Sequence, residues 1–385
     1  MRGTRPERAL ADALAGKRVL VVCGSGGVGK TTTAAALALR GGLMGRRVLV
    51  CTIDPSRRLA TSLGVAQLSG RPRALDLRRM GAMAGGSMHA MMLDTKSTFD
   101  ALVERFASGP AAKRRILENR FYHHVSAALA GSHEYMAMEK LLELSADERF
   151  DLVVLDTPPT RHALDFLEAP DRLLSFLDTS TLRWFLKPYF HAGRLTLKVA
   201  TKTGALVLNV VDRALGLRFL ADLSEFFLAF EGMYDGFKER AERVYTLLRA
   251  RTSGFVLVAG PATQALDEAV YFHGRLRDKD MPLLGIIVNR LHQDPAAGAS
   301  GAPRSAREVE IDADLEARLL EIYRDEQVVA RAERKRIARL EVDTGERPLL
   351  VPELDTDVHD LRGLLAVGDL LFGAPAVVGA RRASS

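Results

Sequence analysis

Short apolar runs bounded by turn residues recur along the chain, at Arg18–Cys23, Val48–Ile53, Met88–Leu93, Leu152–Leu155, Phe255–Val258, Leu283–Val288 and Leu349–Val351. They are brief and do not alternate with polar residues, which predicts strands buried on both faces, as in a parallel sheet. Segments of helical periodicity separate most of them, for example Thr31–Gly41, Thr95–Ala107, Gln264–Arg277 and Ile311–Glu341. This alternation predicts an α/β fold with a doubly wound, mostly parallel sheet. Between Leu164 and Arg251 the strand signal disappears, and Leu, Phe and Ala recur at helical spacing, with Trp184, Phe185, Tyr189 and Phe190 in one cluster. A helical subdomain inserted after the Asp156 strand is expected there, with a smaller helical insert over Thr95–Leu144. The expected division is residues 1–94, 146–164 and 252–372 for the α/β core, 95–145 and 165–251 for the helical subdomain, and 373–385 for a disordered tail. Gln293–Ser305, rich in Ala, Gly, Pro and Ser, is expected to be a mobile surface loop.

Composition narrows the class. The 385 residues are 47% hydrophobic and 26% charged, as in ordinary globular proteins. No stretch reaches the roughly 18 uncharged apolar residues of a membrane-spanning helix, and the N-terminus lacks the apolar core of a secretory signal. Cys23 and Cys51 each end an apolar run, which predicts buried free thiols and a cytoplasmic setting. The net charge of +6 comes mostly from arginine interleaved with acids, as in Arg331–Arg339. That run reads as a solvated helix face laced with i,i+4 pairs rather than a nucleic-acid patch, so no nucleic-acid partner is expected.

The chemistry concentrates where Val19–Cys23 leads into Gly24-Ser-Gly-Gly-Val-Gly-Lys-Thr31 and a helix starts in the threonine run. Strand, glycine-rich loop and helix in this order match the phosphate-binding loop of P-loop NTPases. Glycines let backbone N–H groups turn inward around phosphate oxygens, and the helix N-terminus adds its dipole. Lys30 can reach the β- and γ-phosphates of ATP, and the Thr31 hydroxyl can ligate Mg2+. At the end of a second strand, in Phe150-Asp-Leu-Val-Val-Leu-Asp156, the Asp156 carboxylate is placed to hold that ion. Asp151, before the strand, reads as a solvated cap. In Cys51-Thr-Ile-Asp54-Pro-Ser-Arg-Arg, Asp54 either orients or deprotonates the attacking water or simply begins an Asp-Pro turn.

With these motifs in place, the chain resembles the arsenite-pump and tail-anchored-protein-targeting ATPases, within the deviant-Walker-A dimeric ATPases and most like their single-domain bacterial branch. The resemblance rests on Gly24–Thr33 (GSGGVGKTTT), Thr52–Leu63 (TIDPSRRLATSL), Asp156–Leu164 (DTPPTRHAL), Val288-Asn289-Arg290 and Pro348–Leu354 (PLLVPEL). It implies a nucleotide site built from Gly24, Ser25, Gly26, Gly27, Val28, Gly29, Lys30, Thr31 and Thr32. It makes Asp54 and Lys30 catalytic, Asp156 through His162 a γ-phosphate sensor, and Asn289 the reader of the adenine edge, with Pro352 and Glu353 in a loop packed on the base. It also implies dimers that open and close a surface on their helical subdomains. Three departures qualify this. The signature lysine after the first glycine is replaced by Ser25, which points to slow hydrolysis or to a heteromer whose other subunit supplies it. The metalloid-binding cysteines of the arsenite pump and the zinc-binding C-x-x-C of the eukaryotic targeting factor have no counterparts.

The resemblance and the residues together suggest an ATP-driven switch that binds a partner subunit or a hydrophobic-helix protein client. Leu173, Leu174, Phe176, Leu177, Trp184–Leu186, Phe226, Phe227 and Phe230 would line the client groove or fill the subdomain core. The methionines at Met80–Met92, with Met136 and Met138, are open to the same two readings. His123, His124, His133 and His162 lack metal-site spacing. The alternatives are a partitioning or positioning ATPase that binds DNA or membrane, a low-turnover regulatory subunit, and a metabolic kinase.

Overall fold

The computed structural model describes residues 6–80, 83–119, 122, 132–158, 168–169, 171, 233–293 and 312–373. Two compact units emerge, one of Met1–Met92, Leu144–Leu164 and Leu247–Ser385, the other of Leu93–Glu143 and Asp165–Thr246.

In the first unit, helix α1 (Pro6–Gly16) precedes β1 (Val19–Gly24), α2 (Lys30–Leu43), β2 (Arg47–Thr52), α3 (Arg58–Ser62), β3 (Arg73–Leu75) and β4 (Ser87–Met92). The second unit includes α4 (Thr95–Phe106), α5 (Pro110–Leu117) and most of α6 (Ser132–Ser145), which leads to β5 (Leu152–Asp156) of the first. Helix α7 (Tyr234–Arg249) then leads into β6 (Ser253–Ala259), α8 (Thr263–Asp278), β7 (Leu283–Leu291), α9 (Ala313–Thr344), β8 (Leu349–Pro352) and α10 (Leu361–Phe372). The eight strands form one sheet in the order β3-β4-β2-β5-β1-β6-β7-β8. All neighbours pair in parallel except β3 with β4.

The predicted strands fall within a few residues of these, because two-sided burial writes an unbroken apolar run. Val19–Val22 and Val48–Val50 are fully buried, and so are Leu152 and Val154. Helix α2 is alanine-rich because it lies between the sheet and α10, where Ala34–Ala38 have almost no exposed surface. The antiparallel β3 is a difference from the expectation. It has only three residues, two of them exposed, so it leaves no apolar run to read. Asp312 and Asp360 start α9 and α10 by accepting from the N–H groups of Leu315 and Gly363, and Gly345 ends α9 in a left-handed conformation (φ 72°).

Two sequence expectations change. Asp151 is not simply solvated: its carboxylate accepts from the Arg47 backbone N–H at 2.9 Å and from the Arg47 guanidinium at 2.6 and 3.1 Å, which holds it down at about 2. The Arg331–Arg339 face is solvated at Arg331, Arg334 and Lys335, but Glu333 within it is buried. Within the helical unit, Phe99, Tyr122, Tyr135 and Phe237 form an aromatic core, and Glu139 pairs there with Arg240. Met136 and Met138 are core residues of the described chain rather than surface methionines, and Met88 and Met91 are buried in β4. The Trp184 cluster, Phe226–Phe230, the four histidines named above as poor metal ligands, the loop from 294 and the tail from 374 lie outside the described residues or have no described side chain.

Candidate functional site

Sheet order reverses around β1, which pairs with β5 on one side and β6 on the other. Loops leaving the carboxyl ends of strands open a crevice at such a switch point, and the loop after β1 occupies it. Gly24 is required there for close approach. At φ 150° its backbone runs so near β6 that an added Cβ would lie 1.9 Å from the Val258 carbonyl oxygen. Gly29 (φ 94°) turns the loop into α2, and a Cβ there would strike the Asn289 amide nitrogen at 2.3 Å. The loop is braced from β7: Asn289 donates from Nδ2 to the Val28 carbonyl at 2.9 Å, and Arg290 from Nη1 to Gly27 O at 3.2 Å.

At the floor of the crevice Asp156 is completely buried. Its Oδ2 accepts from the Thr31 hydroxyl and from the Thr52 hydroxyl, each at 2.8 Å, while Oδ1 has no partner among the described residues. Burial raises this carboxyl to about 6, against the opposing pull of the two hydroxyls and of Lys30. A buried, unpaired carboxylate oxygen beside a threonine hydroxyl is an unsatisfied acceptor that a hard cation would satisfy, so this donor set fits Mg2+. Lys30, nearly buried, donates to Ser25 O at 2.6 Å, and desolvation lowers its pKa. The Ser25 hydroxyl is itself buried without a partner among the described residues.

Asp54 follows β2. One carboxylate oxygen accepts from Ser56 N at 2.9 Å and the other lies 3.7 Å from the Arg58 guanidinium. The turn reading holds, since this is an Asx turn, and the same side chain lines the crevice. A single cavity of about 840 Å3 takes in Gly27, Gly29, Lys30, Thr31, Thr32, Asp54, Asn289, Pro352 and Glu353, together with Thr157. Gly24, Ser25, Gly26 and Val28 belong to the loop but do not line it; Thr157 donates to Val22 O at 2.9 Å. Residues 159–162 of the expected γ-phosphate sensor lie outside the described residues. Sequence reasoning missed Thr52, whose role depends on the register that puts β2 beside β5 and Thr52 opposite Asp156. It gave no role to Arg57, Arg58, Thr356, Asp357 and His359, which complete the cavity wall. Only Arg57 and Arg58 carried a signal, as two cations directly after the Asp54 turn.

Fold and crevice together define a P-loop nucleotide hydrolase. Comparison with known proteins narrows the class: the chain belongs to the anion-transporting ATPase family, which it matches over residues 17–333. It is similar to the ATPase GET3C of Arabidopsis thaliana, with 25% identity over 368 residues, 92% of this chain and 82% of that protein. It is also similar to a protein of Aquifex aeolicus (strain VF5) named for an arsenical pump-driving ATPase, 25% identical over 260 residues, which are 66% of this chain and 58% of that one. An ATPase GET3 of Malassezia globosa matches at 29% over 150 residues, 39% of this chain and 41% of its own length. The chain is an ATP hydrolase of this family, and among the described residues no helix is long and apolar enough to cross a membrane.

Proposed function

We propose that the protein is a cytoplasmic, Mg-ATP-driven conformational switch in which hydrolysis times the capture and release of a protein client or partner subunit. The observation that carries this reading is the convergence on Asp156. Its two threonine clamps come from the phosphate loop and from β2, the strand that leads to Asp54. A change at the γ-phosphate therefore reaches three backbone segments through one side chain.

Thr31 and Asp156 would hold Mg2+, which when bound neutralises phosphate charge. Lys30 exchanges the Ser25 carbonyl for phosphate oxygens, so the loop is already wound before nucleotide arrives. Asp54 orients the attacking water through the oxygen not committed to Ser56. Asn289, with its amide nitrogen engaged by the loop, keeps its oxygen to accept from an exocyclic amine, which favours adenine. Val351, Pro352 and Leu354 supply the apolar wall for the base, with Glu353 beside them. Arsenite is disfavoured as cargo. The chain has two cysteines, both buried in strands, and burial pushes the Cys23 thiol up to about 12, far from the thiolate that soft coordination needs.

The test compares hydrogen exchange in the helical unit with ADP and with ATP, using Asp54→Asn to hold ATP unhydrolysed and Lys30→Ala as a binding control. A synthetic hydrophobic helix serves as client probe. Exchange and probe affinity are expected to differ between the two nucleotides. Identical behaviour in both states would sink the switch reading, and Asp54→Asn turnover near the wild-type rate would remove Asp54 from catalysis.

A further inference from the structure

The phosphate loop brings one cation to the crevice, Lys30, since Gly24–Thr32 contains no other. Three arginines join it along the cavity wall, Arg57, Arg58 and Arg290. Arg290 is committed to the loop backbone through Gly27 O. Arg57 also borders a second cavity of about 120 Å3 behind the Asp54 turn, with Thr52, Pro55 and Ser56. Arg58 opens α3 one turn past Asp54, and its guanidinium lies 3.7 Å from the Asp54 oxygen that Ser56 does not hold. Its charge is also felt at Lys30, where it adds to desolvation in lowering the lysine pKa. Arg58 is thus within electrostatic reach of both side chains assigned to the reacting phosphate.

The Asp54 contact is loose. At 3.7 Å it exceeds hydrogen-bonding distance, and the Arg58 side chain is 62% exposed, so the pair contributes little and exchanges readily. A γ-phosphate, more highly charged than one carboxylate, is the stronger partner for a guanidinium, whose planar fork matches phosphate oxygens. The exchange does two things at once. It delivers a cation to the phosphate, and it releases the Asp54 oxygen assigned to the attacking water.

We propose that Arg58 is a catalytic residue of ATP hydrolysis, leaving Asp54 on nucleotide binding to stabilise, within its own chain, the charge that develops on the transferring phosphoryl group. Water adds to the γ-phosphorus as its bond to the β–γ bridging oxygen breaks. The bond pair passes to ADP, and one water proton goes to a second oxygen of the released phosphate. Negative charge grows on the bridging oxygen as this happens. Arg58 N–H groups aimed there bind the transition state more strongly than bound ATP. The inference deepens the hydrolysis part of the functional reading and rests on the role given there to Asp54, but it needs no client.

The experiment measures steady-state hydrolysis, ATP affinity and affinity for ADP with magnesium and aluminium fluoride, a mimic of the transferring phosphoryl group. It uses the full chain, with helicity as the folding control on every variant. Arg58→Ala should lower kcat about a thousandfold, the low end of what an arginine contributes to phosphoryl transfer, and keep ATP affinity within about threefold. Its affinity for the fluoride complex should fall far more than its affinity for ATP, which a merely structural role would not produce. The same selective loss should appear in an Asp54→Asn background, because Arg58 acts on the phosphate rather than through the aspartate. Mixing Arg58→Ala with Asp54→Asn should leave turnover at the level of Arg58→Ala, and recovery in the mixture overturns the same-chain assignment. Near-wild-type turnover in Arg58→Ala overturns the proposal, as does equal weakening of ATP and the fluoride complex, or a loss that follows Arg57→Ala instead. A selective loss that vanishes in the Asp54→Asn background overturns it too. Wild type that binds ATP without hydrolysing it would defeat the functional reading and this inference with it. An active wild type indifferent to Arg58 defeats the inference alone.

Discussion

Replacing Asp156 by asparagine should make the metal-free protein more stable while ending its magnesium-dependent turnover. Asparagine keeps an oxygen to accept from Thr31 and Thr52 and puts an amide where Oδ1 now lies unpartnered. What it removes is a buried charge. A displacement from 3.8 to about 6, at 1.36 kcal/mol per pH unit, bounds the gain at about 3 kcal/mol in neutral solution. Because burial raises this carboxyl, the folded chain holds the proton more tightly than the unfolded one. Wild-type stability therefore declines as pH rises from the ordinary carboxylate range to about 6, then stays level. The variant lacks that slope. Urea unfolding followed by circular dichroism, in chelator and over a pH series, reads the difference. With Mg-ATP in excess the order should invert, since wild type gains binding free energy that the variant forgoes. An asparagine variant no more stable than wild type near neutrality would refute the reasoning, and so would an advantage that persists unchanged well below pH 6.

The two loop glycines should fail differently. Gly24→Ala drives a Cβ against the Val258 backbone and should cost more than about 3 kcal/mol, seen as loss of soluble protein, whereas Gly29→Ala meets a movable side chain and should chiefly weaken ATP binding by titration. Asp151→Asn should cost no more than about 1 kcal/mol at neutral pH, because the Arg47 pair is partly solvated. Its depressed carboxyl means that contribution is present above the ordinary carboxylate range and vanishes as acid approaches about 2, a convergence that acid-unfolding curves would show. Iodoacetamide should leave Cys23 and Cys51 unmodified in the native protein and alkylate both in denaturant, as counted by intact mass.

The fold was readable because its strands are covered on both faces: Val19–Cys23, Val48–Cys51 and Leu152–Leu155 could not be polar anywhere. Where burial is partial, the signal fades. Strand β3 sits at an edge with two exposed residues, and Glu333 hides a buried carboxylate inside a run that looks uniformly solvated. The phosphate loop is contiguous in sequence, so its glycines, Lys30 and Thr31 declare themselves. Thr52 does not, because its hydroxyl matters only once β2 lies beside β5. Likewise Thr356, Asp357 and His359 reach the cavity through a loop with no pattern of its own, fixed by the strand and helix that flank it.

Glu333 is more than a misread residue. One of its oxygens lies 2.8 Å from the His292 ring and the other accepts the His292 backbone N–H at 3.0 Å, and the pair raises the imidazole pKa. His292 immediately follows β7, three residues past Asn289 of that strand, which braces the phosphate loop. The clamp thus ties α9 to the end of β7 at a point about 30 Å along the helix from its first residue, taking the rise as 1.5 Å per residue. A shift of α9 would therefore bear on the end of β7, where Asn289 and Arg290 both contact the nucleotide loop.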